Sequence, residues 1–392
     1  MVFPTAIVQA PVSEWVIKPQ IELRERYERR VDRDFLGSNS DNRDDLWGRY
    51  RVGVTAEGPR GQRAEAIYQY GHRTSWTSRR NFSAERSDLL VGNYQFRAGQ
   101  GRVTVGRQFV DKNLRRLFGR RNFSNVTTTL DIVRYQDDRW DLFAGKVGLD
   151  TSPLRDARIA HVGLNHSGGQ TNLIYKSDKA GGRSQGIYTL NHYVRRDTGR
   201  LRAELDASFQ TGSLGGRRHE AHYLVQRNTY NLGQKTTAIA EFAVASGGDP
   251  NGRVSRTFDS LYPAAHAPHG LMDLVGSNNM RGISLNLRRE VAPALEVSAE
   301  VHRWWLDNPK EAWLGNRNIA NRGVGGVFID PTGAAGRDLG VEATLFAIWN
   351  PNRQNTVQAG FGVFSPGRFV RTMNGGSAGK QTWGYLQWTW RF

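Results

Sequence analysis

The last twelve residues, Gln381 to Phe392, constrain the fold more tightly than any other stretch of the chain. Read by twos, QTWGYLQWTWRF places Leu386, Trp388, Trp390 and Phe392 on one face and Gln387, Thr389 and Arg391 on the other, which is the periodicity of a strand. A soluble sheet has to cover so aromatic a face with a second layer, and no part of the sequence reads as covering helices. A strand of a closed barrel can leave that face against acyl chains, with Trp and Tyr at headgroup depth. The stretch is therefore expected to close a transmembrane antiparallel β-barrel.

Composition agrees once the barrel is assumed. Hydrophobic residues make up 38% of the 392 and the mean hydropathy is -0.59, too polar for membrane helices. No run of ~18 apolar residues is present to span as one. In a barrel only alternate residues of each strand meet lipid. Lys and Arg number 54 against 37 Asp and Glu, a net charge of +17, which directs attention to nucleic acid, an anionic membrane surface or an anionic solute. Nucleic acid is set aside, because the open face of Trp388, Trp390 and Phe392 is not that of a soluble binder. Cysteine is absent, so thiol chemistry, disulfides and Cys-type zinc sites are excluded. The opening MVFPTAIVQAPV lacks the basic region and length of a signal peptide. It reads as the start of a mature chain, with residues 1–14 as an N-terminal periplasmic segment and 1–392 as one barrel domain.

Strand-like segments recur along the whole chain. From Trp15 to Arg30, Ile17, Ile21, Leu23 and Tyr27 alternate with charged residues, and from Leu201 to Gln210, Leu201, Ala203, Leu205, Ala207 and Phe209 oppose Arg202, Glu204, Asp206 and Ser208. Turn clusters such as Gly58-Pro59-Arg60-Gly61 and Asn350-Pro351-Asn352 separate partners at one end. Long connections at Asp111 to Asn125, Ser246 to Asn279 and Asp307 to Arg337 lie at the other. The tally is about 18 strands, with long extracellular loops, short periplasmic turns and both termini on the periplasmic side. Trp76 falls in a connecting loop on this reading. No plug domain is evident, so inward side chains and infolded loops are expected to narrow the lumen.

Alternation sorts Arg24, Arg26, Arg49, Arg51, Arg97, Arg202, Arg288 and Arg391 to the inside among Glu22, Glu57, Glu204, Asp206, Glu296 and Glu300, and Arg107 is added to this pore-lining set. Guanidinium groups keep their charge and offer a planar fork to carboxylates, so a lumen rich in them favours anionic solutes. Strands ~4.8 Å apart can present successive guanidiniums to an acidic sugar chain. The plainer alternative is that inward arginines only neutralise inward acids. Loop arginines Arg79, Arg80, Arg115, Arg116, Arg120 and Arg121 are read as solvated or facing lipopolysaccharide. Trp304, Trp383 and Tyr385 can either stack on sugar rings or belong to the interfacial girdle.

Other chemistry has little footing. His219-Glu220-Ala221-His222 is one residue short of a zinc-protease motif and lies on a strand. His266, His269 and Asp273 can bind a cation or form a network within their loop. No nucleotide loop or nucleophile elbow is present, no cofactor is indicated, and no nucleophile can be placed with its base for an outer-membrane hydrolase.

The closing strand resembles the terminal aromatic signal of bacterial outer-membrane barrels. Thr257-Phe258-Asp259, then Tyr262-Pro263, His266, Gly270, Asp273 and Asn279, resemble the alginate-export family of outer-membrane porins. So do Gly106-Arg107-Gln108, Trp304-Trp305, Gly340-Val341-Glu342 and Gly360-Phe361-Gly362 leading to Ser365-Pro366-Gly367. The resemblance implies a monomeric barrel of 18 strands in the bacterial outer membrane, seated in bilayer and lipopolysaccharide. It further implies an arginine-lined constriction that passes an acidic polysaccharide or oligosaccharide, with periplasmic export partners and gating by a loop and a periplasmic turn. The turns here are short for such a gate. A general anion-selective porin is the alternative that the charge pattern leaves open.

Overall fold

At membrane depth every backbone amide and carbonyl needs a partner within the protein, and this chain supplies them by bending one antiparallel sheet into a closed ring. A computed structural model describes residues 14–37, 41–77, 81–149, 157–180, 183–264, 266, 269–315, 320–323 and 326–392; the expected segment 1–14 falls outside them apart from Glu14. The first strands are β1 (Val16–Val31), β2 (Arg43–Glu57), β3 (Arg63–Thr77), β4 (Asn81–Ala98), β5 (Gly101–Gln108), β6 (Thr129–Gln136) and β7 (Trp140–Leu149). Then come β8 (Arg158–His166), β9 (Gly169–Ala180), β10 (Arg183–Thr198), β11 (Leu201–Leu214), β12 (Arg217–Gly233) and β13 (Thr236–Ala245). The two-residue β14 (Val254–Ser255) sits in a long loop before β15 (Met280–Ala292) and β16 (Leu295–Trp305), and β17 (Arg322–Gly323) pairs with β18 (Gly326–Val327) in the next loop. Strands β19 (Asp338–Trp349) and β20 (Asn355–Pro366), helix α1 (Arg368–Met373) and β21 (Gln381–Arg391) complete the chain.

Leaving aside the three two-residue strands, 18 strands form the barrel. The closure is the pairing of the first strand with the last: Leu23 lies opposite Tyr50 of β2 on one side and Trp390 of β21 on the other. Side chains sort as alternation requires, but with the polarity of a soluble protein reversed. Leu285, Phe209 and Leu386 are 59%, 65% and 57% exposed, while their neighbours Asn286, Ser208 and Gln387 are 8%, 0% and 6% exposed. Apolar side chains outside and polar ones packed inside suit hydrocarbon as solvent.

All 18 segments recognised by alternation are strands, and the structure lengthens several of them. Trp76, read as a loop residue, lies in β3 opposite Asn81. The strand read from Leu201 to Gln210 runs on to Leu214, and only Gly215 and Gly216, both at positive φ, separate β11 from β12. Alternation fades where strands rise past the lipid, since both faces there are polar, yet backbone pairing continues. The periplasmic turns are as short as expected; Thr198, Gly199, Arg200 and Leu201 link β10 to β11. Three connections, 109–128, 246–279 and 306–337, fold inward and bring buried apolar residues into the lumen, including Phe118, Phe258, Met272, Trp313 and Phe328, which pack with inward residues of the wall. The wall yields to them locally: a Cβ on Gly282 would lie 2.1 Å from the Trp304 ring that fills the space across from it.

Replacing lipid-facing Leu285 with Arg should cost about 2–4 kcal/mol near mid-membrane. Urea titration of folding into phosphatidylcholine vesicles measures it, with Leu285→Val as a control expected near ~1 kcal/mol.

Candidate functional site

The loop at 109–128 leaves β5, turns at Asn113 and Arg115, both at positive φ, and drops into the barrel. Once inside it has no sheet to satisfy its backbone, so it takes partners from the second infolded loop and from the wall. Tyr262 N–H donates to Leu117 O at 2.8 Å and Gly119 N–H to Tyr262 O at 3.0 Å, zipping the two loops together. Ion pairs staple both to the wall: Arg116 with Glu241 at 2.5 Å, Lys176 with Asp259 at 2.7 Å, and Lys112 with Asp141. Burial pulls the Lys112 ammonium down to about 8 against the opposing pull of Asp141. The Phe123 ring stacks on His266 with centroids 3.7 Å apart.

The wall arginines do the rest. Arg24 donates to Asn122 O and Asn125 Oδ1, each at 2.5 Å; Arg26 donates to Phe123 O; Arg49 donates to Asn122 O at 2.7 Å and Ser124 O at 3.3 Å. Arg26 also lies over the Phe123 ring, 3.6 Å from its centroid. These three are 1–2% exposed, so they hold the loop from behind, and only Arg26 borders a chamber. A guanidinium has five donors and no acceptor, and carbonyl oxygens suit it as partners. Unlike carboxylates, carbonyls leave its charge uncompensated. Of the three, Arg49 also binds Glu22 at 2.6 Å and Arg26 lies 3.5 Å from Glu28. No ion pair to Arg24 exists among the described residues.

On either side of this collar lies a chamber. Towards the periplasm a cavity of about 620 Å³ is lined by Arg51, Arg63, Arg102, Arg120, Arg134 and Arg391 against Glu22 and Glu65. Towards the extracellular side one of about 500 Å³ is lined by Arg26, Arg30, Arg33, Arg43, Arg73, Arg121 and Arg322 against Glu28 and Asp273. Glu22 gathers Arg49, Arg51 and Arg391 at 2.6, 3.5 and 3.0 Å, one carboxylate among three cations.

The nine arginines expected to line the pore thus separate into four groups. Arg24, Arg26 and Arg49 form the collar, and Arg51 and Arg391 line the periplasmic chamber. Arg97, Arg202 and Arg288 point inward only at the periplasmic rim, where Arg202 pairs with Asp197 at 2.8 Å and Arg288 with Glu296 at 3.3 Å. Arg107 does not face the lumen: its neighbours Gly106 and Gln108 take the inner face, and it bonds Asp131 at 2.6 Å on the outer wall beside Val105, which is 44% exposed.

Several loop arginines also depart from expectation, while Arg115 is exposed. Arg116 is buried in its pair with Glu241, and Arg120 and Arg121 line the chambers, because their loop folds inward where a solvated one was expected; Arg79 and Arg80 lie outside the described residues. Trp304, Trp383 and Tyr385 are neither girdle nor open platform but packed inside at 2%, 1% and 7% exposure, with Trp383 donating to Glu28 at 2.9 Å. His219 is buried inside and His222 faces out, so they cannot share a metal. His266 bonds Asp273 at 3.1 Å, whereas His269 turns to Arg116 and Ser277. Arg102 and Arg134 were missed although they alternate with Val103 and Val133. Arg120, Arg121 and Arg322 had no periodicity to reveal them.

A closed 18-strand barrel, apolar outside and arginine-rich within, narrowed by infolded loops, is the architecture of an outer-membrane channel. The chain belongs to the alginate export family, which matches residues 155–384, and resides in the bacterial outer membrane. No curated protein matches it. Among solved structures it resembles OprD of Pseudomonas aeruginosa, at 11% identity and a TM-score of 0.61, over 96% of this chain and 94% of that one. OccK2 (OpdF) of Pseudomonas aeruginosa, at 11% and 0.61, is covered over 97%, and OpdQ of the same organism, at 13% and 0.59, over 98%, each again across 96% of this chain. At such identities the likeness is one of fold.

His269 sits where acid should loosen the loops. Burial, then the charges of Arg116, His302 and Arg227, hold its imidazole well below the ordinary 6.5. A released loop therefore binds the proton more tightly than the packed one, so the packing is fully stable above ~6.5 and weakens as pH falls below it. Single-channel conductance is expected to rise between pH 7.5 and pH 5, and His269→Gln should flatten that rise.

Proposed function

We propose that this outer-membrane channel passes acidic saccharides, polyuronates of the alginate type first among them, in the outward direction that the family's name describes. The observation that carries the reading is the collar: Arg24, Arg26 and Arg49 are held by loop carbonyls, and the chambers above and below it carry seven and six arginines against two carboxylates each. Positive potential in a narrow, low-dielectric passage raises the local concentration of anions and excludes cations. The collar arginines act through their field, since their side chains are shielded. Direct contact falls to Arg51, Arg102, Arg134 and Arg391 below and to Arg30, Arg43 and Arg73 above.

A polyuronate carries one carboxylate per sugar, so an extended chain threading both chambers exchanges guanidinium partners as it advances. Contacts of this kind are individually weak and numerous, as transport requires. The rim arginines Arg97, Arg202 and Arg288 stand where a polymer delivered by periplasmic export partners would enter. A general anion-selective porin, acting as a monomer in bilayer and lipopolysaccharide, is the second reading, favoured by the dominance of guanidinium groups in both chambers, which attract any anion. No residue constellation among those described supports a hydrolase.

Reconstituted in planar bilayers, the protein should give a reversal potential on the anion side under a KCl gradient. Arg51→Gln with Arg391→Gln should reduce that preference while the barrel stays folded. Oligouronates added to one side should reduce chloride current in proportion to concentration, and less so in the double variant. Cation preference in the unaltered protein would overturn the reading; block by chloride-like small anions alone would leave the general porin.

A further inference from the structure

Past the extracellular end of β1 the chain carries a charge that runs against that of the molecule. In a protein of net charge +17, Asp32, Asp34 and Asp41 each bring a carboxylate oxygen within 4.8 Å of the others. None of the three takes part in an ion pair among the described residues, although Arg43 close by does, with Asp45 at 2.8 Å. Asp32 is 4% exposed. Its Oδ1 accepts the Gly37 N–H at 2.9 Å, but Oδ2 is shut away from water with no hydrogen-bond partner, and so is Oδ1 of Asp41. Buried carboxylate oxygens without donors, set beside other carboxylates, are costly unless a cation joins them.

We propose that Asp32, Asp34 and Asp41 form a binding site for a divalent cation of the calcium type. The donors are all carboxylate oxygens, which suit a hard cation and not zinc or copper. Calcium accepts oxygen ligands in a flexible arrangement, whereas magnesium demands a near-ideal octahedron and gives up its water reluctantly, so an irregular trio of carboxylates suits calcium better. Three carboxylates leave room for water in calcium's six to eight positions.

The loop holding these ligands also holds Phe35, and that gives the site a purpose. Phe35 is 1% exposed and packs on Trp313, Phe328 and Phe364 at centroid distances of 5.8, 5.9 and 5.7 Å, on the wall of the extracellular chamber. The backbone around it is tied to the segment after α1: Asn374 donates to Asp34 O at 2.9 Å and Gly379 to Phe35 O at 2.7 Å. A cation joining Asp32 and Asp34 to Asp41 ties the residues on either side of Phe35 to the start of β2, and so holds the Phe35 anchor. Extracellular calcium would thereby stabilise one wall of the channel mouth.

The test is calcium binding by detergent-purified, chelator-stripped protein, followed by isothermal titration and equilibrium dialysis with calcium chloride alone. The unaltered protein should bind one equivalent more than D32N/D41N, and calcium should raise the temperature at which heat abolishes its fast, folded migration on gels in the unaltered protein only. Should D32N/D41N fail to fold, D34N at a half-buried position carries the test, with affinity at that site weaker by about tenfold or more for one lost charged ligand. Equal stoichiometry and affinity in the unaltered protein and in whichever variant folds would overturn the proposal, as would tighter binding of magnesium than of calcium. Either result leaves the reading of the channel as an anion pathway untouched, since that is read from ion selectivity.

Discussion

The hydrogen-bonded seam between β1 and β21 is the feature on which the remaining structure rests. An open sheet in a membrane would leave two rows of amides and carbonyls facing hydrocarbon, each group costing several kcal/mol. Closing the ring through the ladder from Glu22 opposite Arg391 to Val31 opposite Thr382 removes both rows at once. The same ladder fixes which faces point where. A register slip by one residue would turn Leu386 and Trp388 inward and Gln387 and Thr389 out to the lipid.

Closure also creates an interior that must be filled. With 18 strands the lumen is too wide for side chains from opposite walls to meet, and the chain fills it with its own extracellular loops. Loop backbone brought inside needs donors for its carbonyls, and the wall provides them as arginines. The two roles weighed for those arginines, structural and electrostatic, are thus compatible. A guanidinium bonded to a carbonyl gains an acceptor without gaining a counter-charge, so the groups that hold the 109–128 loop in place also contribute to the sign of the passage. Neutralisation by acids does occur, at Glu22 and Glu28, but in both places the arginines are in excess.

Much of the wall was readable from the chain alone, since strand alternation is a local property enforced by a solvent that differs on the two faces. It located all 18 strands, and it turned Arg24, Arg26, Arg49, Arg51 and Arg391 inward correctly. It failed at Trp76 and across Gly215 and Gly216, where strands extend beyond the lipid and the contrast between faces disappears. Arg107 was misassigned; its own neighbours Val103 and Val105, read by twos, put it outside.

What the sequence by itself determined is the barrel, its strand number, its two-faced wall and its positive interior, because each follows from residues one or two positions apart. Only the tertiary structure decided what those inward charges touch. Arg24 meets Asn122 and Asn125, and Phe35 meets Trp313 and Phe364, through contacts between residues about a hundred to more than three hundred positions apart. Loops have no period to reveal their path, so whether an arginine in one of them faces water, lipopolysaccharide or the lumen depends on where the fold carries it.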